Sequence, residues 1–337
     1  MPELPEVQTT VDGINKEVAS LAIRDVWTDY NSLFHAGKNN IKNPEYFSQF
    51  KKDVIGAKIK RASRIGKNIL IHLSNGKTIL THMKMTGHYM YGKYVKVEGM
   101  SSQKMSVPAP SGGLARRLFE KTSRNLPQFS TETWEPKAKD GPLRDPFNRH
   151  IHLVFTLSDG KHLAFSDARK FAKVFVFDTE NEKTIEDLMH IGPDPLSPDF
   201  TFTVFKEQLL KRKTWKIKQA LMEQSLIAGI GNIYSDEMLW ISGVHPLSAV
   251  GKIPDKELKE MYKSAKPLLQ RGIDFGGDSD SDYRNIYGEP GQFQNKHNAY
   301  RRTDEPCPKR GCPGTIKRIK VGGRSAHFCD THQKFFK

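Results

Sequence analysis

Apolar and polar residues alternate along this chain with two different periods, one in each half. From Val7 to Val18 the pattern suits a short amphipathic helix. Short β-type runs follow at Ala57-Lys58-Ile59, Asn68 to Leu73, Thr78-Ile79-Leu80, His152 to Phe155 and Lys173 to Phe177. Turn signals at Ser74-Asn75-Gly76 and Ser158-Asp159-Gly160 join several of them. Between about 94 and 148 the pattern breaks into Ser, Pro, Gly and scattered charge, which reads as an insertion or loop hung between two strands. After the Pro-rich run Gly192 to Pro198 the period becomes helical through about Arg271. A Gly-rich polar loop, Gly276 to Gly291, and a compact Cys/His segment complete the chain. The expected organisation is a multidomain α+β protein: a β-rich domain over 1–190, a hinge at 191–199, a helical domain over 200–296 with its loop at about 276–293, and a small terminal unit over 297–337.

Charge narrows the partners. Among 337 residues, 53 Lys and Arg stand against 38 Asp and Glu, a formal net charge of +15. That surplus points to a polyanion, with nucleic acid ahead of the plainer reading of a soluble basic protein. Three cysteines within the last thirty-odd positions make a disulfide framework a poor reading and metal ligation a better one, which implies a reducing compartment. No apolar run approaches the ~18 residues of a membrane span, and the amino terminus lacks the basic and apolar regions of a secretory signal. A soluble intracellular protein is expected.

Four stretches carry chemistry. Met1-Pro2-Glu3-Leu4-Pro5-Glu6-Val7 yields a terminal secondary amine at Pro2 if Met1 is removed. Condensed with an aldehyde carbon, such an amine gives a cationic iminium, an electron sink for elimination, with Glu3 beside it for proton transfer. The plainer reading is a helix start. Second, Trp215 to Met222 and Ile233 to Trp240 read as two helices flanking Ile227-Ala228-Gly229-Ile230-Gly231-Asn232. Asn232 can cap the second helix, whose free N–H groups suit a phosphate, with Lys218 supplying charge nearby; a purely structural hairpin uses the same turn.

Third, Cys307-x4-Cys312 and Cys329-x2-His332 have the paired spacing of one tetrahedral structural Zn2+ site, with His327 or His297 open as replacements for His332. Between the pairs, Thr315 to Val321 and Ser325 to Cys329 look like strands joined at Gly322-Gly323-Arg324, which puts Arg324 at a tip able to reach a phosphate. Ten Lys/Arg against three Asp/Glu from His297 onward favour nucleic acid again. Fourth, the turns His82 to Gly87 and Asp167 to Phe171 offer Met85 and Phe171, which can wedge into base steps, and Arg169, which can hydrogen-bond an exposed base edge; the plainer reading makes them core and surface residues.

Taken together and in order, Pro2 to Val7, Arg64-Ile65-Gly66-Lys67, His82 to Gly87, Arg169-Lys170-Phe171, Gly229 to Tyr234 and the cysteine finger resemble the formamidopyrimidine-DNA glycosylase family, which includes the endonuclease VIII-like enzymes. The resemblance covers nearly the whole chain apart from the insertion. It implies an N-terminal β-sandwich with a flanking helix, a helix-two-turn-helix domain and a C-terminal zinc-finger β-hairpin, gripping damaged double-stranded DNA as a monomer. It implies a base-excision-repair glycosylase and AP lyase in which Pro2 is the nucleophile, Glu3 protonates the opening sugar, Glu6 is a supporting carboxylate and Lys67 contacts phosphates around the lesion. Lys218, Asn232 and Arg324 would clamp the backbone, while Met85, Arg169 and Phe171 would fill the vacated duplex. A bacterial source would make it cytoplasmic and nucleoid-associated.

Leu4, the separated Met85/Arg169/Phe171 set and the loop from Gly276 to Phe293 favour the branch acting on oxidised purines over the pyrimidine-acting branch. The loop is unusually acidic, with Asp278, Asp280 and Asp282, and the finger has His332 where four cysteines are common. A non-catalytic zinc-finger protein that binds damaged DNA is the competing class, opposed by the presence of Pro2, Glu3 and Lys67; a zinc-containing RNA-binding protein leaves the amino terminus unexplained.

Overall fold

A computed structural model describes residues 1–98, 132–183 and 190–337. Helix α1 (Leu4–Glu17) begins one turn before the expected Val7, because the Glu6 carboxylate accepts the Glu3 N–H at 2.7 Å and Pro5 suits a first turn. Its apolar face, Val7, Val11 and Ile14, enters a core shared by two antiparallel four-stranded sheets.

One sheet has the order β1 (Ile23–Thr28), β8 (Ile151–Leu157), β9 (His162–Ser166), β5 (His88–Gly92). The other runs β10 (Lys173–Asp178), β4 (Lys77–His82), β3 (Asn68–Leu73), β2 (Ile59–Ile65). Ile23, Phe155 and Phe165 from the first pack with Ile69, Ile71 and Val174 from the second, so the two sheets form a sandwich. Helix α2 (Pro44–Val54) adds Phe50 and Val54 to the same core.

The stretch 94–148 departs from its reading as an irregular loop. Its ends pair as an antiparallel ribbon, β6 (Tyr94–Glu98) with β7 (Glu132–Pro136), and short 3-10 turns follow at Pro142–Arg144 and Pro146–Asn148. The ribbon forms because Tyr94 and Trp134 find an apolar surface on the outer side of the first sheet, made by Met90, Ile151, Val154 and Ala164. The middle of the insertion lies outside the described residues.

Four helices build the second lobe: α3 (Phe202–Leu210), α4 (Ile217–Met222), α5 (Asn232–Ser242) and α6 (Asp255–Asp274). Leu4 of α1 belongs to this lobe's core rather than the sandwich's, so the amino terminus bridges the two. The segment 191–199 is also tied at both sides. Gly192 donates to Gln224 O (2.8 Å), Ala228 donates to Pro193 O (3.1 Å), and Asp194 pairs with Arg64. A terminal hairpin, β11 (Ile316–Val321) and β12 (Arg324–Cys329), docks on α5. Among the described residues no helix is long and apolar enough to cross a membrane.

Candidate active site and nucleic-acid interface

The amino terminus reaches into the helical lobe. Pro2 is buried, and the Glu3 carboxylate accepts N–H bonds from Gly231 (2.7 Å), Ile233 (2.9 Å) and Tyr234 (3.4 Å) at the start of α5. Donors left free by the first helical turn are thus satisfied by a side chain 228 residues away in sequence. This corrects the reading of Asn232 as the cap: Gly231 holds the N-cap position, Asn232 is the first helical residue, and Glu3 does the capping. Glycine is required at 231 because a Cβ there would lie 2.5 Å from Glu3 Oε1.

Glu6 sits behind Glu3 and accepts from the Glu3 N–H (2.7 Å), the Tyr234 hydroxyl (3.0 Å) and the Asp278 N–H (2.8 Å). Burial, reinforced by the negative charges of Glu3 and Asp278, pushes its pKa up to about 7. Lys67, at the β2–β3 turn, donates to Ile230 O at 2.9 Å. Burial holds its ammonium below the ordinary lysine range, opposed by Glu3 and Glu6 and aided by Arg324. The turn from Gly229 to Asn232 therefore gathers Pro2, Glu3, Glu6 and Lys67, with the exposed Arg324 close enough to act on Lys67.

Lys218 lies elsewhere than expected. It is 0% exposed, and its ammonium donates to Asp236 Oδ1 (2.6 Å) and Asn232 O (2.9 Å). The geometry makes it an internal brace of the turn rather than a phosphate ligand, because both acceptors it reaches, Asp236 Oδ1 and Asn232 O, hold the ammonium inside the fold. Asn232 is half-buried, and its Oδ1 has no hydrogen-bond partner among the described residues.

On the sandwich lobe, Met85 occupies the turn Lys84–Thr86 and is half-buried, while Arg169 is exposed and stacks its guanidinium 4.5 Å above the ring of Phe171, itself 50% exposed. One buried carboxylate fastens both turns. Asp167 accepts from the hydroxyls of Thr86 (2.5 Å) and Tyr30 (2.9 Å) and from the Ala172 N–H (2.8 Å), and the Arg169 N–H in turn reaches Thr86 Oγ1 (3.2 Å). His82 is held neutral by burial, its pKa pushed down to about 3, and its Nδ1 accepts the Lys84 N–H.

In the terminal hairpin, Cys307, Cys312, Cys329 and His332 bring their donor atoms within 4.8 Å of one another. Cys312 and Cys329 sulfurs are 3.6 Å apart, and His332 Nδ1 is 3.4 Å from Cys307 Sγ. Tetrahedral coordination at Zn–S of ~2.3 Å and Zn–N of ~2.0 Å requires edges of roughly 3.5–3.8 Å, so the set fits one ion. The other imidazole nitrogen, Nε2, lies 3.0 Å from Trp240 O, an outer contact that fixes the ring. His327 pairs instead with Asp236 and His297 with Asp278, which removes both as alternatives.

The family model of the formamidopyrimidine-DNA glycosylase N-terminal domain matches residues 1–174, and that of the H2TH domain of the same enzyme matches 191–283. The chain belongs to the formamidopyrimidine-DNA glycosylase family. It is 32% identical over 334 residues to the formamidopyrimidine-DNA glycosylase of Bacillus subtilis, with 98% of each chain covered, and 31% identical over 333 residues to that of Herpetosiphon aurantiacus, covering 99% and 100%. Among solved structures it resembles Lactococcus lactis Fpg in complex with abasic-site DNA (TM-score 0.73, 27% identity, 97% of each chain). It also resembles wild-type Lactococcus lactis Fpg with DNA containing N7-benzyl-Fapy-dG (TM-score 0.72, 28% identity, 97% and 98% covered).

In this family member several supporting residues carry no signal that the sequence reading used. Gln224 donates to Ile230 O and accepts the Gly229 N–H, setting the turn that Lys67 also grips. Glu237 accepts from the N–H groups of Asn298, Ala299 and Tyr300. An adjacent Asp236-Glu237 pair inside an otherwise apolar helix is the signal that could have revealed it. The acidic loop is likewise neutralised from within: Asp278 meets His297 at 2.6 Å, and Asp280 meets Arg301.

Proposed function

We propose that this chain is a bifunctional DNA glycosylase and AP lyase of base excision repair that removes oxidised purines, 8-oxoguanine and formamidopyrimidines, from double-stranded DNA as a monomer. The observation that carries the reading is the seating of Pro2-Glu3 on the start of α5, where the nitrogen that loss of Met1 would free, two carboxyls and Lys67 share one buried corner. On this reading residues 1–190 are the catalytic domain, 191–199 join it to the DNA-binding domain 200–296, and 297–337 are the zinc finger.

The target nucleotide leaves the stack so that its sugar carbon becomes reachable. Pro2 nitrogen, freed by loss of Met1, gives its lone pair to C1′; the glycosidic bond breaks, its electron pair leaves with the base, and the base takes up the proton that Pro2 nitrogen loses. The sugar ring opens as O4′ takes the C1′–O4′ pair and is protonated from the Glu3 side, leaving a C1′=N iminium. Glu6, protonated much of the time near neutrality, holds the Glu3 backbone N–H and so fixes the residue whose carboxyl faces the sugar. Loss of a C2′ proton expels the 3′ phosphate, and a second elimination expels the 5′ phosphate.

Lys67 and Arg324 neutralise phosphates flanking the lesion and Asn232 hydrogen-bonds one, while Met85, Arg169 and Phe171 occupy the gap, with Arg169 facing the orphaned base. The loop Gly276 to Gly291 recognises the displaced base, a role supported by its hydrogen bond to Glu6. One Zn2+, held by the thiolates of Cys307, Cys312 and Cys329 and by His332 Nδ1, would keep the hairpin folded.

Borohydride trapping on duplexes with 8-oxoguanine opposite cytosine, formamidopyrimidine or an oxidised pyrimidine tests the reading. Processed protein should form a covalent adduct with the purine lesions, and Pro2→Gly should lose it. Absence of an adduct on every lesion rules out the mechanism, and a preference for the pyrimidine lesion rules out the substrate class.

A further inference from the structure

The insertion returns to the sandwich through Pro142–Asn148, and there it touches the loop from Gly276 to Gly291 rather than ending as a surface decoration. Asp145 uses one carboxylate oxygen to cap its own turn, accepting the Phe147 N–H at 2.9 Å, and the other to pair with Arg284 Nε at 3.1 Å. The Arg284 guanidinium lies 4.5 Å over the Phe147 ring, and its Nη1 donates to Ser281 O (3.1 Å) and Tyr283 O (2.8 Å). The same cation thereby binds the insertion and shapes the loop.

A second clasp lies at the other side of the loop. Buried Asn148 donates to Gly288 O (3.0 Å) and Pro142 O (2.9 Å), while its Oδ1 meets His88 Nε2 at 2.9 Å. Gly288 has φ +83°, and a Cβ there would lie 2.8 Å from Asn148 Nδ2, so the contact is made at backbone distance. Between the clasps Tyr91 donates to Ile286 O (2.7 Å), and Ile286 fills the space over Gly13 of α1. At its start the loop donates the Asp278 N–H to Glu6.

We infer that Asp145, Phe147 and Asn148 are specificity-determining positioning residues: the insertion clamps the recognition loop in a preformed shape beside Glu6, so that base excision depends on the insertion while cleavage of an already base-free site does not. This rests on the loop role proposed above. Holding the loop in place removes the ordering cost that a loose loop would meet on each encounter with a damaged base. An abasic substrate presents no base to the loop, so its cleavage draws only on Pro2, Glu3 and the phosphate contacts.

The test uses full-length processed protein and compares wild type, Asp145→Ala, Asp145→Glu, Asn148→Ala and Phe147→Ala. Single-turnover rates are measured on 8-oxoguanine opposite cytosine and on a preformed abasic duplex, with hydrogen exchange followed across 279–290. Alanine variants should lose about tenfold or more in base excision with faster exchange in the loop, keep abasic-site cleavage within about twofold, and Asp145→Glu should recover most of the loss. Equal base excision in all variants overturns the clamp, as does a parallel loss on both substrates. A wild-type protein that cleaves abasic DNA yet releases no oxidised base overturns the proposed function itself, a result separable from the variant comparison.

Discussion

Replacing Lys218 with Met separates two accounts of the helical turn. As a phosphate ligand, Lys218 would contribute to DNA affinity and leave folding nearly untouched. The structure instead places it at 0% exposure against Asp236, also 0% exposed, with an N–O separation of 2.6 Å. Removing one member of a buried ion pair leaves an uncompensated charge and costs about 3–5 kcal/mol. Asp236 retains the N–H and Nδ1 of His327 at 2.9 and 3.0 Å, which offsets part of the loss and places the expected cost at about 3 kcal/mol, the lower end of that range. Urea unfolding followed by tryptophan fluorescence measures this, and a double-mutant cycle with Asp236→Asn should return a coupling above ~1 kcal/mol. Affinity for an abasic-analogue duplex, followed by anisotropy across a salt series, supplies the second readout. Each lost phosphate contact lowers the salt slope by ~0.9, so a buried brace predicts an unchanged slope. Wild-type stability combined with a slope lowered by about one would refute the internal role and return Lys218 to the DNA surface.

Three further outcomes follow from the same geometry. Gly231→Ala should displace the Glu3 carboxylate from α5, since a Cβ lies 2.5 Å from its Oε1; loss of the cap should cost ~1–2 kcal/mol in thermal or urea unfolding, and both base excision and strand cleavage should fall at least tenfold, whereas full activity would show that Glu3 acts from another position. Glu6 has a folded pKa of about 7 against 4.5 for the free group, so the folded state binds the extra proton between these values and stability falls as pH rises through that window. Relative to Glu6→Gln, wild type should therefore lose up to ~3 kcal/mol between pH 5 and 8, and a pH-independent difference would contradict a raised pKa. Cys329→Ala, or a strong chelator, should release one equivalent of zinc and unfold the β11–β12 hairpin, weakening DNA binding; metal analysis that finds no zinc in purified protein would refute the assignment.

The parts of the site that sequence makes legible are those written in short motifs. The cysteine pairs and the glycines of the α4–α5 turn stand out through residue type and local spacing, and Pro2 and Glu3 do so once the other motifs are read with them; β3, β4, β8 and β10 follow from β-type runs with turn residues at Gly76 and Gly160, while β1, β5, β9 and most of β2 do not. What escapes is pairing across distance. Asn232 looks like a cap because it stands before a helix, yet the cap comes from Glu3, which no local rule connects to residue 231. Lys218 looks like a surface cation because lysines usually are, and only the Asp236 carboxylate one helix away makes its burial tolerable.

The acidic loop shows the same dependence on distant partners with the opposite consequence. Asp278, Asp280 and Asp282 look hostile to DNA when counted along the sequence, but His297 and Arg301 take up two of those charges, and the Asp278 backbone is turned toward Glu6. A local charge count therefore overstates the negative potential that a phosphate would meet. The same loop is fixed from the outside by Asp145, which pairs with Arg284 of the loop, and by Asn148, so its shape is set by residues of the insertion as well as by its own glycines. On the proposed function, recognition of the base leans on the insertion and chemistry at the sugar on the docking of the amino terminus on α5. That separation is why loss of one activity without the other is a physically reasonable outcome for this chain.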